Sequence, residues 1–447
     1  MSESELRQVE AEIFQRRNEG HIEPTNERMT ALVDLLGDPQ RSFRAIHLTG
    51  TNGKTSTARI IDELVRAFGL RTGRYTSPHL SSVTERVVVD GHPIADRTFV
   101  EAYRELVPYI ELIDSRFEIP LSFFEIVTAL AYAVFADAPV DVAVVEVGMG
   151  GAWDNTNVLD AEIAVVTPVD LDHTQYLGDT IDAIAGEKAG IIKPGATAIL
   201  AAQRPEAAEA LLRRAATVGA TVAREGLEFG VIDRQVAVGG QLLALQGLGG
   251  RYDDLFLPLH GEHQAQNAVV ALAAVEAFFG AGAGNGPLDA GIVREAFAAV
   301  RSPGRLEAVR SAPTILVDAA HNPHGMAASV AAVQEAFDFR RIVGVVAMLS
   351  DKDVPGVLSV LEPLLDEIVV TRNGSPRAVL VDSLAAAAVE IFGPDRVSVE
   401  TRLDDALETA VRLAEDTGDD VLSGSGVLVT GSVVTAGEAR LLLGSDV

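Results

Sequence analysis

Short apolar runs alternate with amphipathic stretches along the first half of the chain. Apolar runs of strand length are predicted at 43–48, 72–76, 141–147, 162–169 and 196–201. Helical spacing of apolar residues occurs at 55–68, 121–136, 179–192 and 262–279. Alternating, glycine-rich stretches between residues 226 and 260 predict small antiparallel strands. Because the other strands and helices alternate, the pattern predicts a mostly parallel sheet covered by helices.

A second α/β unit is predicted after the turn sequence Ser302-Pro303-Gly304-Arg305. Its strands are predicted at 314–318, 341–347, 367–371 and 426–430, and its helices at 324–337, 353–364, 377–391 and 403–416, with a last helix after Ser432. A chain of 447 residues is too long for one hydrophobic core. The sequence therefore predicts two domains, residues 1–300 and residues 301–447.

A glycine loop joins the first predicted strand to the first predicted helix. It consists of Gly50, Thr51, Asn52, Gly53, Lys54, Thr55 and Ser56. Glycines let the backbone N–H groups of such a loop converge on anionic oxygens, and the helix dipole and the lysine add positive charge. The spacing G-x-x-G-K-T is shorter than the ordinary Walker A spacing G-x-x-x-x-G-K-[ST]. The loop therefore predicts a nucleotide-phosphate site, but one unlike that of most P-loop GTPases and helicases.

Lysine is rare in this chain, which has 36 basic residues. The lysines are Lys54, Lys188, Lys193 and Lys352, and every other basic residue is arginine. Arginine cannot replace lysine where a compact ammonium or a deprotonatable amine is needed. Chance explains Lys193 well enough, whereas Lys54 stands in the phosphate loop. The usage therefore favours a chemical role for Lys54.

Composition excludes several classes of protein. Cysteine is absent, so the chain has no disulfide, thiolate zinc site or cysteine nucleophile. No apolar run reaches the roughly 18 residues of a membrane span, and the N-terminal stretch lacks the apolar core of a signal peptide. We therefore expect a cytoplasmic protein that does not bind membranes. A net charge of −28 argues against nucleic acid as a partner.

Polar side chains follow three of the predicted strands. Ser77 comes after the strand at 72–76, Glu146 ends the strand at 141–147, and His173 follows the strand at 162–169. In open α/β sheets, ligands bind at the carboxyl ends of strands. Oxygen and nitrogen ligands beside a phosphate loop are suited to Mg²⁺ or to its bound waters. A structural carboxylate at Glu146 and a capping histidine at His173 remain the alternatives.

Short sequence stretches spread over almost the whole chain resemble one family. They are LGDPQ (36–40), GTNGK (50–54), TSPHL (76–80), ERV (85–87), SFFE (122–125), EVGMGG (146–151), DNTN (154–157), LDH (171–173), EKAGII (187–192), PGRLE (303–307), DAAHNP (318–323), DKD (351–353) and TGS (430–432). In this order they resemble the folylpolyglutamate synthase/dihydrofolate synthase family of the Mur ligase superfamily.

The resemblance implies an α/β fold of two parts. The N-terminal part would be a P-loop Mur-ligase ATPase domain, with a mostly parallel sheet and a small antiparallel section. A smaller, Rossmann-like α/β domain would follow it and act as the glutamate-ligase domain. The implied enzyme joins L-glutamate to dihydropteroate, or to the γ-carboxyl of a reduced folate. It uses ATP and Mg²⁺, with two metal sites, and forms an acyl phosphate intermediate.

The resemblance also implies roles for individual residues. Catalytic roles fall to Lys54, Lys188 and His173. Ser77 and Glu146 would hold one Mg²⁺ and His173 a second, with Lys188 carbamylated so that it offers an anionic oxygen ligand. The nucleotide would be held by the loop residues 50–56 together with Asn267, Arg305 and Asp318. Substrate contacts fall to Arg28, Ser122, Phe123, Phe124, Glu125, Trp153, Asp154, Asn155 and His321, and Lys352 would lie near the same cleft.

The sequence departs from the family pattern near the substrate and phosphate sites. Ala152, Trp153 and Asn155 stand where the family usually has Arg, Leu and Ala. Thr55 replaces the common glycine, as in peptidoglycan Mur ligases. These changes leave the choice of acceptor open.

Two other functions remain as alternatives. A Mur-type amide ligase with another carboxylate acceptor would share the ATP chemistry, although the 49 residues before Gly50 are too few for the extra nucleotide-sugar domain of peptidoglycan enzymes. A P-loop NTPase without ligase activity would not need Ser77, His173 and Lys188. We expect a monomer, by analogy with the family.

Overall fold

The first sheet combines strands from the N-terminal half of the chain. The computed structural model describes residues 3–16, 23–282, 284–416 and 424–444. The strands of this sheet are β1 (Arg44–Thr49), β2 (Thr72–Tyr75), β3 (Val87–Val89), β4 (His92–Pro93), β5 (Val142–Glu146), β6 (Ile163–Val166), β7 (Thr197–Leu200) and β8 (Thr221–Arg224). They lie in the order β4-β3-β2-β5-β1-β6-β7-β8. Only the pairs β2–β3 and β3–β4 are antiparallel, so the prediction of a mostly parallel sheet is confirmed.

Helices cover both faces of this sheet. They are α1 (Glu3–Arg16), α2 (Glu27–Leu35), α3 (Lys54–Ala67), α4 (Asp96–Arg116), α5 (Phe123–Asp137), α6 (Thr174–Leu177), α7 (Ile181–Lys188), α8 (Pro205–Val218), α9 (Glu262–Phe279) and α10 (Ala290–Ala299). Short 3₁₀ turns lie at Pro39–Arg41, Val83–Arg86, Asn155–Val158 and Ala189–Ile191. The first 20 residues are polar and helical in pattern, and α1 confirms this prediction for residues 3–16, whereas residues 17–20 lie outside the described part of the chain.

The two faces of the central strands bury different cores. Ile46 and Leu48 of β1 pack with α3, α9 and α10, while the preceding Ala45 packs with α4 and α5 on the opposite face. Val144 and Val145 of β5 divide in the same way. This alternation follows from the two-residue period of a strand. Because both faces are covered, these strands are continuous apolar runs in the sequence.

A small antiparallel sheet and a second, six-stranded sheet complete the molecule. The small sheet consists of β9 (Gly230–Ala237), β10 (Gly240–Gln246) and β11 (Arg251–Leu257), as the pattern at 226–260 predicts. The six-stranded sheet consists of β12 (Glu307–Ser311), β13 (Thr314–Val317), β14 (Arg341–Val346), β15 (Glu367–Val370), β16 (Val397–Val399) and β17 (Ser425–Thr430), in the order β12-β13-β17-β14-β15-β16. Within it, only β12–β13 is antiparallel.

Helices also flank the second sheet. They are α11 (Pro323–Ala336), α12 (Val354–Leu361), α13 (Val381–Phe392), α14 (Leu403–Glu415) and α15 (Val433–Leu442), with a 3₁₀ turn at Pro394–Arg396. The first sheet, its helices and the small sheet are called the N-terminal region below, and the part from β12 onward the C-terminal region. In the described ranges, none of the helices has the combined length and apolar character that a membrane crossing requires.

Two predicted helices are wrong at their ends. The helix predicted over 179–192 gives way to a 3₁₀ turn after Lys188, where Gly190 packs against Ala152 so closely that a Cβ atom would collide. The helix predicted over 377–391 begins only at Val381, because Val379 donates a 2.9 Å backbone hydrogen bond to Met348. In both places a contact between distant segments outweighs the local helical pattern.

Candidate active site

Two glycines allow the loop between β1 and α3 to take its shape. Gly50 has φ +147°, and a Cβ atom there would collide with the hydroxyl of Thr167. Gly53 has φ +89° and precedes the first turn of α3, where a Cβ atom would collide with the amide oxygen of Asn267. Any other residue would be strained by both the backbone angle and the close approach. The loop therefore depends on glycine at these two positions.

Lys54 is the first residue of α3 and folds back over the loop. Its Nζ donates to the carbonyl oxygens of Gly50, at 3.0 Å, and Thr51, at 3.2 Å. Burial lowers the pKa of Lys54, and the carboxylates of Glu146 and Asp172 act in the opposite direction. This position puts the ammonium beside the loop, where lysine and loop N–H groups can interact with one phosphate group.

Glu146 ends β5 directly beside the loop. The Thr55 hydroxyl lies 3.0 Å from each of its carboxylate oxygens. Burial raises the pKa of Glu146, whereas the charge of Lys54 and the hydrogen bond from Thr55 lower it. Ser77 lines the same cavity, so carboxylate and hydroxyl oxygens converge there. This donor set suits Mg²⁺, which prefers oxygen ligands and usually keeps several waters.

A single cavity of about 120 Å³ brings together most of the predicted site. Predicted residues that line it are Gly50, Thr51, Asn52, Gly53, Lys54, Thr55, Ser77, Glu146, His173, Lys188, Arg305 and His321. Gly148, Met149, Gly150 and Asp172 line it as well. Arg305 and His321 come from the segments around β12 and β13, so the C-terminal region completes the cavity.

Lys188, at the end of α7, points into the core of this site. Its side chain is buried, and its Nζ donates to the carbonyl of Gly50 at 2.8 Å. Burial, with the nearby charge of Lys54, lowers the pKa of Lys188 to about 7. A large fraction of this amine is therefore unprotonated at neutral pH.

Asp172 is the most important residue that the site prediction did not include. Its carboxylate accepts hydrogen bonds from Lys352 Nζ at 2.9 Å and from Asn322 Nδ2 at 3.3 Å. The imidazoles of His173 and His321 lie 3.8 and 3.9 Å away. Burial favours a raised pKa for Asp172, but the charges of His173, Lys352 and His321 outweigh it and lower the pKa. Asp172 thus links the N-terminal region to the C-terminal region.

The sequence contained partial signals for the cluster around Asp172. Asp172 directly precedes His173 at the end of a strand, and Asn322 directly follows His321. Asn322 also exchanges hydrogen bonds with Asn52 of the phosphate loop, at 3.1 and 3.4 Å. What the sequence did not indicate was that the two segments meet, since 150 positions separate Asp172 from Asn322.

The two histidines of the cluster stay neutral near pH 7. Burial, with the charge of Lys352, lowers the pKa of His173 and of His321 to about 4. Asp172 opposes both shifts. A neutral imidazole can accept a hydrogen bond or bind a cation, which an imidazolium cannot do.

Replacing Lys352 with methionine should raise the pKa of His321. The change removes a positive charge and leaves the Asp172 carboxylate unpaired, and both effects favour the imidazolium. We expect a rise of about one unit or more, measured from the imidazole proton shifts in metal-free protein. Lys193→Met is the matched control, because Lys193 donates to Asn157 outside this cluster. An unchanged pKa for His321 in Lys352→Met would contradict this electrostatic assignment.

Asp318 supports the loop that carries Arg305. Its carboxylate accepts from the backbone N–H groups of Leu306, at 2.9 Å, and Ala320, at 3.0 Å, and from the hydroxyl of Ser329 at 2.8 Å. The side chain is buried and does not line the cavity. In this structure Asp318 therefore positions Arg305, and its predicted contact with nucleotide stays a prediction.

Asn267 and Ser56 lie behind the phosphate loop. Asn267 of α9 packs on Gly53 and donates to Gln264 at 3.1 Å. The hydroxyl of Ser56 lies 3.2 Å from that of Ser302, which leads into the C-terminal region. Both side chains are buried, so they support the loop from the side of α9.

Three of the predicted substrate residues form a buried network where α2 meets α5. Arg28 donates to both carboxylate oxygens of Glu125, at 3.0 and 3.3 Å, and to Glu23 at 2.7 Å. Glu125 and Ser122 form a capping box at the start of α5. Every charge here has a partner within the chain. The network therefore fixes the entry to α5.

The two neighbouring phenylalanines of α5 differ in their surroundings. Phe123 is fully buried, between the ring of Phe14 and the guanidinium of Arg86. It therefore supports the core instead of facing an open surface. Phe124 packs against Gly148, where a Cβ atom would collide with its ring. Since Gly148 lines the phosphate cavity, Phe124 connects the α5 region to that cavity.

The segment 153–155 contains the other three predicted substrate residues. Asp154 accepts from the N–H groups of Met149 and Thr156, both at 2.9 Å, and burial raises its pKa to about 6. Asn155 donates to Thr25 at 3.3 Å, and Trp153 packs against the α7–α8 core. None of the predicted substrate residues apart from His321 lines the phosphate cavity itself.

Acidic and imidazole side chains of the described residues do not by themselves form a metal site. Within the described ranges, no set of three His, Asp or Glu side chains could hold a metal ion. A Mg²⁺ site here would therefore depend on hydroxyl oxygens, bound waters and nucleotide phosphates beside Glu146.

The fold and the cavity define a Mur-type ATP-dependent ligase. Residues 114–275 match the Mur ligase middle domain, and residues 304–433 match the family described as Mur ligase, glutamate ligase domain. The dihydrofolate synthase/folylpolyglutamate synthase of Mycobacterium tuberculosis is 55% identical over 460 residues, covering 99% of this chain and 94% of that protein. The chain belongs to the folylpolyglutamate synthase/dihydrofolate synthase family.

Solved structures of this family have the same fold. Mycobacterium tuberculosis folylpolyglutamate synthase complexed with ADP has a TM-score of 0.95 and 55% identity, over 99% of each chain. Escherichia coli FolC in complex with DHPP and ADP has a TM-score of 0.84 and 29% identity, over 98% of each chain. The predictions of family, fold class and enzyme class are thereby confirmed.

Proposed function

We propose that this protein ligates L-glutamate to the carboxylate of a pterin-containing acceptor, at the expense of ATP. The acceptor is dihydropteroate, the γ-carboxyl of a reduced folate, or both. One observation carries the proposal: Lys54, Glu146 and Lys188 share a cavity with Arg305 and His321 of the C-terminal region. An NTPase switch would not need this second set of residues. The family relationship supports the same chemistry.

The reaction requires two anions to approach each other. The acceptor carboxylate attacks the γ-phosphorus of ATP, and ADP leaves as the acyl phosphate forms. The amine of glutamate then attacks the acyl carbon, and the C–O bond to phosphate breaks as the amide forms and the amine loses its proton. Lys54, Arg305 and the loop N–H groups supply fixed positive charge at this point, which lowers the electrostatic cost.

Glu146 and Ser77, with the Thr55 hydroxyl beside them, would hold Mg²⁺ next to the ATP phosphates. When bound, the ion neutralises phosphate charge and fixes the geometry of the transferred group. His173 is neutral and offers a nitrogen for a second ion. We propose Lys188 as its partner after carbamylation, since an ammonium cannot ligate a cation.

Carbamylation of Lys188 should depend on pH. An amine must be unprotonated to attack carbon dioxide, and the pKa of Lys188 is about 7. The carbamate should therefore be well formed above pH 7 and lost progressively below it. We expect protein in isotope-labelled bicarbonate to show one carbamate carbon signal by NMR, absent from Lys188→Met and retained in Lys193→Met. A wild-type spectrum without this signal would disprove the modification.

We further propose the organisation of the protein in the cell. Residues 1–300 form the ATP-binding domain, and residues 301–447 form the glutamate-ligase domain. The protein acts as a cytoplasmic monomer on small molecules. The strong negative charge of −28 supports the exclusion of nucleic acid.

Phosphate release tests the proposed function. Purified protein with ATP and Mg²⁺ is given L-glutamate together with dihydropteroate or tetrahydrofolate, and the pterin product is identified by mass. We expect release that requires both glutamate and a pterin, with one glutamyl group added. The preferred pterin defines the acceptor. Steady ATP hydrolysis without either substrate would instead support the NTPase alternative.

A further inference from the structure

Arg59 is a half-buried cation without a partner. It lies on α3, four residues after Thr55 and so on the same face of the helix. Among the residues that the structure describes, none accepts a hydrogen bond from Arg59, and no carboxylate lies within ion-pair distance of it. Burial, with the charge of Arg74, lowers its pKa to about 9, so it stays charged at neutral pH. Buried charges are normally paired.

The carboxylates near Arg59 are already occupied. Asp62 accepts from Arg74 at 2.7 Å and from the Thr72 hydroxyl. Glu85 accepts from three successive backbone N–H groups, at 2.8 to 2.9 Å, in residues 80–82. Both carboxylates attract the Arg59 guanidinium at longer range, but neither forms a hydrogen bond or an ion pair with it.

Arg59 faces a cavity that it shares with Arg305. The cavity is small, with a volume of about 20 Å³, and lies between α3 and the C-terminal region. Its other walls include Leu80, Pro303 and Glu85, whose carboxylate is held by three successive backbone N–H groups. The side chain of Arg305 also has no ion-pair or hydrogen-bond partner among the described residues. We call this space the arginine cavity.

The arginine cavity adjoins the phosphate cavity. Thr55, Pro78, Arg305 and Val433 line both. Four helical residues span about 6 Å, so Arg59 lies about that far along α3 from the mouth of the phosphate loop. A ligand that reaches both cavities therefore needs an anionic end and a reactive end only a few bonds apart. An amino acid has these features, with a carboxylate and a nucleophilic amine.

We propose that Arg59 and Arg305 bind one carboxylate of L-glutamate in the arginine cavity and so direct its amine toward the phosphate cavity. Guanidinium groups suit this role because they bind planar carboxylates through two parallel hydrogen bonds. The phosphates of ATP have the loop N–H groups and Lys54 for partners and do not need Arg59. The proposal rests on the proposed ligase function and deepens it by assigning a site to the amino-acid substrate.

Arg59→Gln tests this assignment. We expect the KM for glutamate to rise roughly 30-fold or more, while the KM for ATP and the affinity for ADP stay within about two-fold. Arg66→Gln is the matched control, because Arg66 lies on the same helix and pairs with Glu63 away from the cavity. Arg59→Lys, which keeps the charge but loses the planar fork, should give an intermediate KM. If Arg59→Gln fails to fold, the KM for glutamate of Arg59→Lys tests the assignment instead.

Amide analogues identify the carboxylate that is bound. Glutamine lacks the γ-carboxylate and isoglutamine lacks the α-carboxylate, and wild-type protein should discriminate against both. With Arg59→Gln, discrimination against one of the two should collapse while the other remains. If the protein accepts dihydropteroate, this is the best acceptor for the assay, because its only carboxylate is the reacting one.

Thermal unfolding without ligands separates binding from structural support. Removal of a half-buried cation that has no direct hydrogen-bond or ion-pair partner should leave the melting temperature unchanged or raise it, whereas loss of a structural arginine would lower it. An unchanged KM for glutamate in Arg59→Gln, or full discrimination against both amides, would overturn the proposal. Wild-type protein without glutamate-dependent activity would instead refute the ligase function, so the two failures are distinguishable.

Discussion

Replacing Lys54 with methionine should reduce glutamate-dependent phosphate release by at least about 100-fold at saturating ATP. Methionine has a similar length but no charge, so the loop loses the cation that faces the transferred phosphoryl group. The remaining N–H groups and Arg305 cannot replace it, because their positions are fixed by Gly50, Gly53 and Asp318. Initial rates at several ATP concentrations measure the effect.

Lys193→Met is the control for Lys54→Met. Lys193 is also partly buried, but it donates to a backbone carbonyl at Asn157 and does not line the cavity. We expect it to keep nearly full activity. If Lys54→Met retained more than about a tenth of the wild-type rate, the phosphate loop would not be the electrostatic centre of the reaction.

Replacing Glu146 with glutamine should weaken the binding of Mg²⁺ strongly. The amide has the shape of the carboxylate but no negative charge, and it presents only one acceptor oxygen. Loss of groups around a metal ligand already costs 10- to 100-fold in affinity, so loss of the ligand's charge should cost at least about 100-fold. The Mg²⁺ concentration for half-maximal phosphate release and direct Mn²⁺ binding both report this change.

Glu162→Gln is the matched control for Glu146→Gln. Glu162 directly precedes β6 and so lies at the amino-terminal ends of the parallel strands, whereas Glu146 lies at the carboxyl end of β5. There Glu162 pairs with Arg44 on the surface. The two substitutions are chemically identical, but only Glu146 lies in the cavity. An equal Mg²⁺ requirement in both variants would show that Glu146 has a structural role and does not bind the ion.

Local sequence patterns predicted the parts of the site that local geometry determines. The phosphate loop has its glycines, its lysine and its strand–helix context within a few residues, so its structure follows from the spacing alone. The polar residues at strand ends were predictable for a related reason. Parallel strands place their carboxyl ends at one edge, which brought Ser77, Glu146 and His173 to the same cavity.

Contacts between distant segments were not predictable in this way. The pairing of Asp172 with Lys352 and the approach of Arg59 to Arg305 both depend on how the two regions of the chain meet. The ends of α7 and α13 differ from prediction for the same physical reason. Several other elements were also missed. They are the helices α4, α8 and α10 and the strands β3, β4, β8, β12 and β16. These segments lack the long continuous apolar runs of the buried central strands, so their patterns are weaker.

The resemblance to a family supplied residue roles that geometry alone would not give. Carbamylation of Lys188 is an example, since the structure shows its side chain only as a hydrogen-bond donor to the carbonyl of Gly50. The structure adds a physical condition to that role, because burial brings the pKa of Lys188 near 7. It also shows that Arg28, Ser122 and Glu125 have partners within the chain, so an acceptor would contact a region already fixed by internal ion pairs.

The most direct test of the central claim is the transfer of oxygen from acceptor to phosphate. The acceptor is prepared with isotope-labelled oxygen in its reacting carboxylate, and the released phosphate is analysed by mass. Ligation through an acyl phosphate requires one labelled oxygen in each phosphate released, because the C–O bond breaks at the acyl carbon. We expect this labelling in step with amide formation. Unlabelled phosphate released together with the amide would contradict the acyl phosphate mechanism.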